Sequence, residues 1–189
     1  MRRREFITLL GGTGAAWPLA TRAQQPERMR QIAVLMSTAA GDPLGQTWST
    51  ALAQGLQQLG WEVGRNIRID YRWGGGDTAR YRQYAVELVA AKPDVIVATA
   101  ASIVADLQDA SRNVPIVFVT TIDPVGAGLV DSLSHPGGNA TGFTPFEFSL
   151  SAKLLELLKE LAPGVTRVAV IRDPAVSAGA GGFAAIQMA

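Results

Sequence analysis

Three apolar runs in this chain end in small polar residues. Ser37 and Thr38 follow Ile32–Met36. Thr99, Ala101 and Ser102 stand at the end of Asp94–Thr99. Thr120, Thr121 and Asp123 stand at the end of Pro115–Thr120. Hydroxyls beside helix N-terminal amides suit recognition of a carboxylate or another polar group. Ser and Thr also cap helices, so each residue taken singly has a capping reading as well. Asp123 has a capping reading too, at the helix expected beyond Pro124.

Acid–base and metal chemistry find little support. His135 is the only histidine, and it sits in the turn-rich Ser134-His135-Pro136-Gly137-Gly138-Asn139. The other candidates for an enzyme are Asp42, Asp123, Asp173 and Arg172, and no Ser–His–Asp set can be assembled from them. The chain has no cysteine. This excludes disulfides, thiolate metal sites and a cysteine nucleophile. A zinc site around His135 would need a carboxylate cluster that the sequence lacks, so neither metal nor cofactor is expected. Gly11-Gly12-Thr13-Gly14 follows no strand and is not a phosphate loop. Gly179-Ala180-Gly181-Gly182 follows an apparent strand and is a weaker case of the same kind.

The elements that must position the strand ends alternate in type. Ile32–Met36 is a continuous apolar run, the mark of a strand buried on both faces. A loop from Ser37 to Thr47, with a flexible lip at Ala39–Pro43, leads to a helix over Trp48–Leu59. Ile67–Trp73 alternates as an edge strand does. Asp77 or Thr78 caps the next helix, which runs to Ala91. Strand Asp94–Thr99, helix Ile103–Ala110 and strand Pro115–Thr120 follow. A short helix is expected over Val125–Leu133 and a short strand over Asn139–Phe143. The pattern then gives helix Ser151–Leu161, strand Arg167–Ile171 and a helix from Ala175 to Ala189. Strands alternating with helices imply an α/β fold with a parallel sheet. In such sheets the ligand crevice lies beyond the carboxyl ends of the strands, where the three hydroxyl-bearing ends lie.

Of 189 residues, 48% are apolar and the net charge is +1. No basic stripe interleaved with aromatics suggests nucleic acid. The N-terminus has a basic start, an apolar middle and the small-residue exit Thr21-Arg22-Ala23. Residues 1–23 therefore read as an export signal cut near Ala23, with Arg3-Arg4 followed by x-Phe-Ile resembling the twin-arginine type. The expected location is the periplasm.

The order of motifs resembles the bacterial ABC-transporter substrate-binding proteins of the periplasmic binding protein type I fold, within a group of tryptophan/tyrosine-type binding proteins. The segments that carry the resemblance are Arg3–Ile7, Leu59–Ile67, Ala91–Ala98, Pro115–Phe118 through Asp123–Gly126, His135–Gly142 and Ala162–Val170. Together they span essentially the whole chain.

The resemblance implies two Rossmann-like lobes closing on a small solute, here an amino acid or small carboxylate. It implies delivery to an ABC permease in the membrane, with no catalysis, no cofactor and no metal. Carried over, Ser37, Thr38, Thr99, Ala101, Ser102, Thr121 and Asp123 form the first lobe's share of the cleft, with Asp123 orienting an amine or hydroxyl of the solute. The lobes divide as residues 24–145 and 146–189, the second only partly present. An exposed apolar surface is expected over Ser151–Ala189. Trp48 is the aromatic expected beside the cleft, while Trp61 is expected to pack on the sheet and Trp73 to lie at an edge. A small-molecule-modifying enzyme on a doubly wound sheet and a sensory ligand-binding module of the same fold are the alternatives.

Overall fold

The computed structural model describes residues 28–145, 147–171 and 177–189. The export signal, Arg172, Asp173 and Ala175 lie outside the described residues. The sheet begins with β1 (Arg30–Met36), whose last four residues are buried. The chain then forms α1 (Pro43–Gln58), β2 (Ile67–Trp73), α2 (Thr78–Ala90), β3 (Val95–Ala98), α3 (Ala101–Ala110), β4 (Ile116–Phe118) and β5 (Ala140–Gly142). Two helices follow, α4 (Ser149–Leu161) and α5 (Ser177–Met188).

The five strands form one sheet in the order β2-β1-β3-β4-β5, and every pair is parallel. The order reverses direction between β1 and β3. That is the switch point where α/β sheets open a crevice at their carboxyl edge. The register sets Met36 of β1 opposite Trp73 of β2, and Leu35 opposite Ala98 of β3. The core is built from Leu35, Ile96, Ile103, Val104, Leu107, Leu88 and Phe118, all buried. Each such side chain contributes about 1.5–3 kcal/mol on leaving water.

Caps set two helix starts. Asp42 accepts hydrogen bonds from the amides of Leu44 (2.8 Å) and Gly45 (3.4 Å), and Pro43 supplies the first helical position. Helix α1 therefore begins well before Trp48, where the apolar periodicity alone would start it. Asp77, not Thr78, caps α2.

Two expected elements do not form. Val125–Leu133 is a run of turns, not a helix. Ala127 N–H donates to Asp123, Gly128 to Val125 and Leu129 to Pro124, so each bond closes a turn and none propagates. Leu129 and Val130 still enter the core, and Gln108 Nε2 donates to the Leu129 carbonyl at 2.9 Å. Arg167–Ile171 forms neither strand nor helix and is exposed. No strand among the described residues lies beside it, and a strand without a ladder has no partners for its backbone groups. The run Gly179–Gly182 is helical within α5, and a Cβ on Gly181 would sit 2.1 Å from the Phe148 ring. Its glycines serve packing of α5 on α4, not a phosphate. Among the described residues no helix is long and apolar enough to cross a membrane.

Candidate ligand-binding site

Thr99 ends β3 at the switch point and ties it to β1. Its Oγ1 accepts from the Ser37 amide (2.8 Å) and donates to Ser37 Oγ (3.2 Å). From the other side, Thr120 Oγ1 donates to the Thr99 carbonyl at 2.8 Å. One hydroxyl from each of three strand ends is thus joined in a continuous network. Of the residues expected at the site, Ser37 and Thr99 are joined directly, and Thr120 completes the chain through Thr99.

The first-strand loop is held from outside as well. The amides of Gly74, Gly75 and Gly76 donate to the carbonyls of Met36, Thr38 and Ser37 at 2.9–3.1 Å. The Tyr81 hydroxyl donates to the Ser37 carbonyl at 3.0 Å. Burial raises the Tyr81 phenol above its ordinary value, which keeps it a donor. Gly74 lies so close that a Cβ there would come 2.1 Å from the Tyr81 ring. The run Gly74–Gly76 reads in sequence as a loose turn, but its amides clamp the ledge. Gly45 has a matching role, since its missing side chain leaves room for Thr38 and Trp73 against α1. Sequence reasoning missed Gly45, Gly74 and Tyr81 as site-framing residues. The only available signal was a glycine within the first helical turn.

Two hydroxyls at this edge have no partner among the described residues. Thr38 Oγ1 and Thr121 Oγ1 are both buried and unbonded. Thr121 is 1% exposed. A buried hydroxyl without a bond costs on the order of 1–3 kcal/mol, so such atoms ask for an explanation. Between the ends of β1 and β4, α3 begins without a side-chain cap, because its N-cap is Ala100. The first amides of a helix then remain available to an acceptor. Ala101 opens this helix and Ser102 is exposed beside it. The β4 end is also strained: Thr120 has φ 58° and Asp123 φ 45°. A β-branched residue in that region is an outlier held by its surroundings, and such outliers gather at ligand sites.

Asp123 accepts from the Gly126 amide at 2.8 Å. That bond is the turn-capping role, and it fixes the Asp-Pro-Val-Gly segment beyond β4. Trp48 is half-buried one turn inside α1, Trp61 is exposed after it, and Trp73 is half-buried at the end of the edge strand β2. Trp61, 38% exposed, borders a cavity with Ile32, Ile67 and Val95 of the sheet. His135 is exposed and bonds Ser132 and Ser134, its own turn. The stretch after it is architectural: Asn139 Nδ2 donates to the carbonyls of Ser111 (3.0 Å) and Val114 (2.8 Å) and seats β5 beside β4. Among the described residues no group of three or more His, Asp or Glu could hold a metal ion. The edge offers hydroxyls and the uncapped amides at the start of α3.

Known proteins show the same build. Residues 32–181 match the family described as ABC transporter substrate binding protein. A tyrosine-binding protein of Clostridioides difficile is 35% identical over 116 residues, 61% of this chain and 33% of the relative. A conserved domain protein of Vibrio cholerae superposes with TM-score 0.74 at 31% identity, covering 85% of this chain and 53% of that one. A Streptococcus pneumonia protein solved in complex with L-Trp gives TM-score 0.62 at 28% identity, covering 72% and 45%. The ligand-free, open structure of a Clostridium difficile substrate binding protein with adhesive properties gives 0.66 at 27%, covering 85% and 53%. The chain spans about half the length of these solved structures and a third of the curated relative. The sheet is that of the periplasmic binding protein type I fold, and the chain belongs to the ABC transporter substrate binding protein family.

Proposed function

We propose that this chain is the solute-binding component of an ABC import system and that it takes an amino acid or small carboxylate. In this reading residues 24–145 form the first lobe's wall of the cleft and residues 146–189 begin the second lobe. Residues 1–23 direct export to the periplasm with cleavage near Ala23, and a membrane permease receives the solute. The observation that carries the reading is the pair of buried, unbonded hydroxyls, Thr38 and Thr121, flanking the uncapped start of α3. A carboxylate at the amides of Ala101 and Ser102 would sit at the positive end of the helix. Ser37, Thr99 and Asp123 hold the surrounding loops in place for it. The relatives named for tyrosine and crystallised with L-Trp favour an aromatic amino acid. The relatives are binding proteins, which agrees with an edge that carries no base or nucleophile pair.

The test is a thermal-shift titration of residues 24–189, alone and extended by any downstream reading frame. The probes are L-tyrosine, L-tryptophan, benzoate and glucose. A ligand at a hundredfold excess over its dissociation constant stabilises the folded state by about 2.7 kcal/mol. A shift with the amino acids and not with glucose is the expected result. Cooperative melts unmoved by all four probes in both forms overturn the reading.

A further inference from the structure

We propose that the chain self-associates through the free edge of β2, two copies pairing antiparallel about Tyr71. Strand β2 ends the sheet, and among the described residues β1 is the only strand paired with it, apart from an isolated bridge between Val63 and Ile67 at its start. Backbone bonds reveal which groups face outward. Arg30 N–H donates to the Asn66 carbonyl, and Gly74 N–H donates to Met36, so the even-numbered residues of this stretch turn toward β1. The odd-numbered residues Ile67, Ile69, Tyr71 and Trp73 therefore direct both N–H and C=O away from the sheet. Ile67 is already satisfied: its N–H donates to Glu62 (3.3 Å), and its carbonyl accepts from Gly64 (2.8 Å). Ile69, Tyr71 and Trp73 remain, a set symmetric about Tyr71; the Tyr71 carbonyl accepts from Arg72 Nη1 at 3.3 Å with one lone pair and keeps the other for a strand partner.

A two-fold axis at Tyr71 uses this set completely. Tyr71 meets Tyr71 of the second copy, and Ile69 meets its Trp73, so every outward N–H finds an outward C=O. The residues between them are complementary too, because Asp70 falls opposite Arg72 and Arg72 opposite Asp70. Neighbouring registers fail. An axis at Asp70 sets Asp70 against itself and Arg68 against Arg72, and it needs the groups of Ile67. An axis at Arg72 opposes two Arg72 side chains and leaves Ile69 unmatched. The flank of the strand is accessible as well. A groove of about 610 Å³ opens between α1 and Tyr71, bordered by the exposed Trp61 and Val63. A long edge strand carrying free backbone groups is a template for pairing, and an isologous two-fold contact closes on itself instead of growing into a filament. This proposal does not depend on the solute reading.

The experiment is sedimentation equilibrium of the purified chain over a concentration series, with charge-exchange variants. The wild type is expected to dimerise. Asp70→Arg and Arg72→Asp each create two like-charge cross-strand pairs, and each is expected to raise the dissociation constant roughly tenfold. The double variant Asp70→Arg/Arg72→Asp restores both the cross-strand pairs and the pair within the strand, and it is expected to recover the wild-type constant. Tyr71→Pro removes an outward N–H while leaving the β1 ladder intact, and it is expected to be monomeric with a retained melt. A wild type that stays monomeric at about 100 µM, which puts its dissociation constant at about a millimolar or weaker, overturns the proposal. So does a dimer that ignores the charge exchange and is lost in Leu154→Lys, which would place the contact on α4.

Discussion

The sheet region up to β5 and the helical layer after it are both rich in apolar residues, yet they treat them differently. In the first, Leu35, Ile96, Ile103 and Leu107 are fully buried between strands and helices. In the second, α4 repeats leucine at helical spacing and buries none of its residues. Leu154 is 59% exposed and Leu161 84%. Helix α4 packs on α5, and Val168 and Val170 line a cavity with both helices without joining a ladder, so among the described residues this layer has helices with no sheet beneath them. Amphipathic spacing specifies which face seeks burial, but only a facing element delivers it.

The comparison breaks most sharply under truncation of a leucine in each region. Leu107→Ala leaves a cavity under β3 and β4 and is expected to cost about 2–5 kcal/mol. Leu161→Ala, on the exposed end of α4, is expected to stay within about 0.5 kcal/mol of wild type. Urea unfolding of the two variants decides it. Equal losses would mean that the layer is buried in solution by a contact the isolated chain does not display.

Next comes the clamp beside the ledge. Gly74→Ala drives a methyl into the Tyr81 ring and is expected to destabilise by about 1–3 kcal/mol. Tyr81→Phe removes the hydroxyl that bonds the Ser37 carbonyl and is expected to cost about 1 kcal/mol. Denaturation midpoints of the pair separate steric support from the hydrogen bond. Equal losses in the two variants would reduce the glycine's role to that bond.

A smaller effect, opposite in sign, is expected at the site itself. Thr121→Val replaces a buried hydroxyl that has no partner. Stability is expected to hold or rise by about 1 kcal/mol, because the desolvated hydroxyl is removed. Affinity for the solute is expected to fall roughly tenfold, the loss of one hydrogen bond. Calorimetric titration beside a melt reads both quantities. A fall in stability with unchanged affinity would make Thr121 a packing residue and weaken its place in the cleft.

Much of this was legible in the sequence. The apolar runs marked β1, β3 and β4, and the alternation at Ile67–Trp73 marked β2 as an edge, because these patterns follow from burial on two faces or one. The hydroxyl-bearing strand ends were legible for the same reason, since the chain order alone puts them on one edge. The failures share a cause: they depend on partners distant in sequence. Val125–Leu133 has helical spacing, but its backbone bonds close single turns. Arg167–Ile171 has strand composition but no ladder. The clamp of Gly74–Gly76 on residues 36–38 was hidden because glycine runs look alike whether free or held. Which hydroxyls are bonded and which are left over cannot be read from residue type at all.

The smallest expected effect lies at the opposite edge of the sheet, where charge takes the place of hydroxyls. Asp94, just before β3, accepts from the Gln31 amide (2.8 Å) and from Arg30 Nη1 (2.9 Å), with Arg28 at 4.0 Å. The amide bond first, and the arginines after it, hold its carboxyl below the ordinary value of 3.8. A carboxyl depressed in the folded state stabilises the fold at pH values above its unfolded pKa, and that stability is lost as pH falls through the folded value. Arg30 and Arg28 are more than half exposed, so solvent screens the pair and its share stays below about 1 kcal/mol. Asp94→Asn is therefore expected to be slightly less stable than wild type at neutral pH. The two curves should converge below the ordinary carboxylate range. Melts across an acid series test this. A gap that persists unchanged into strong acid would mean that the asparagine disturbs the β1–β3 junction by its shape, and that the charge at this edge contributes nothing.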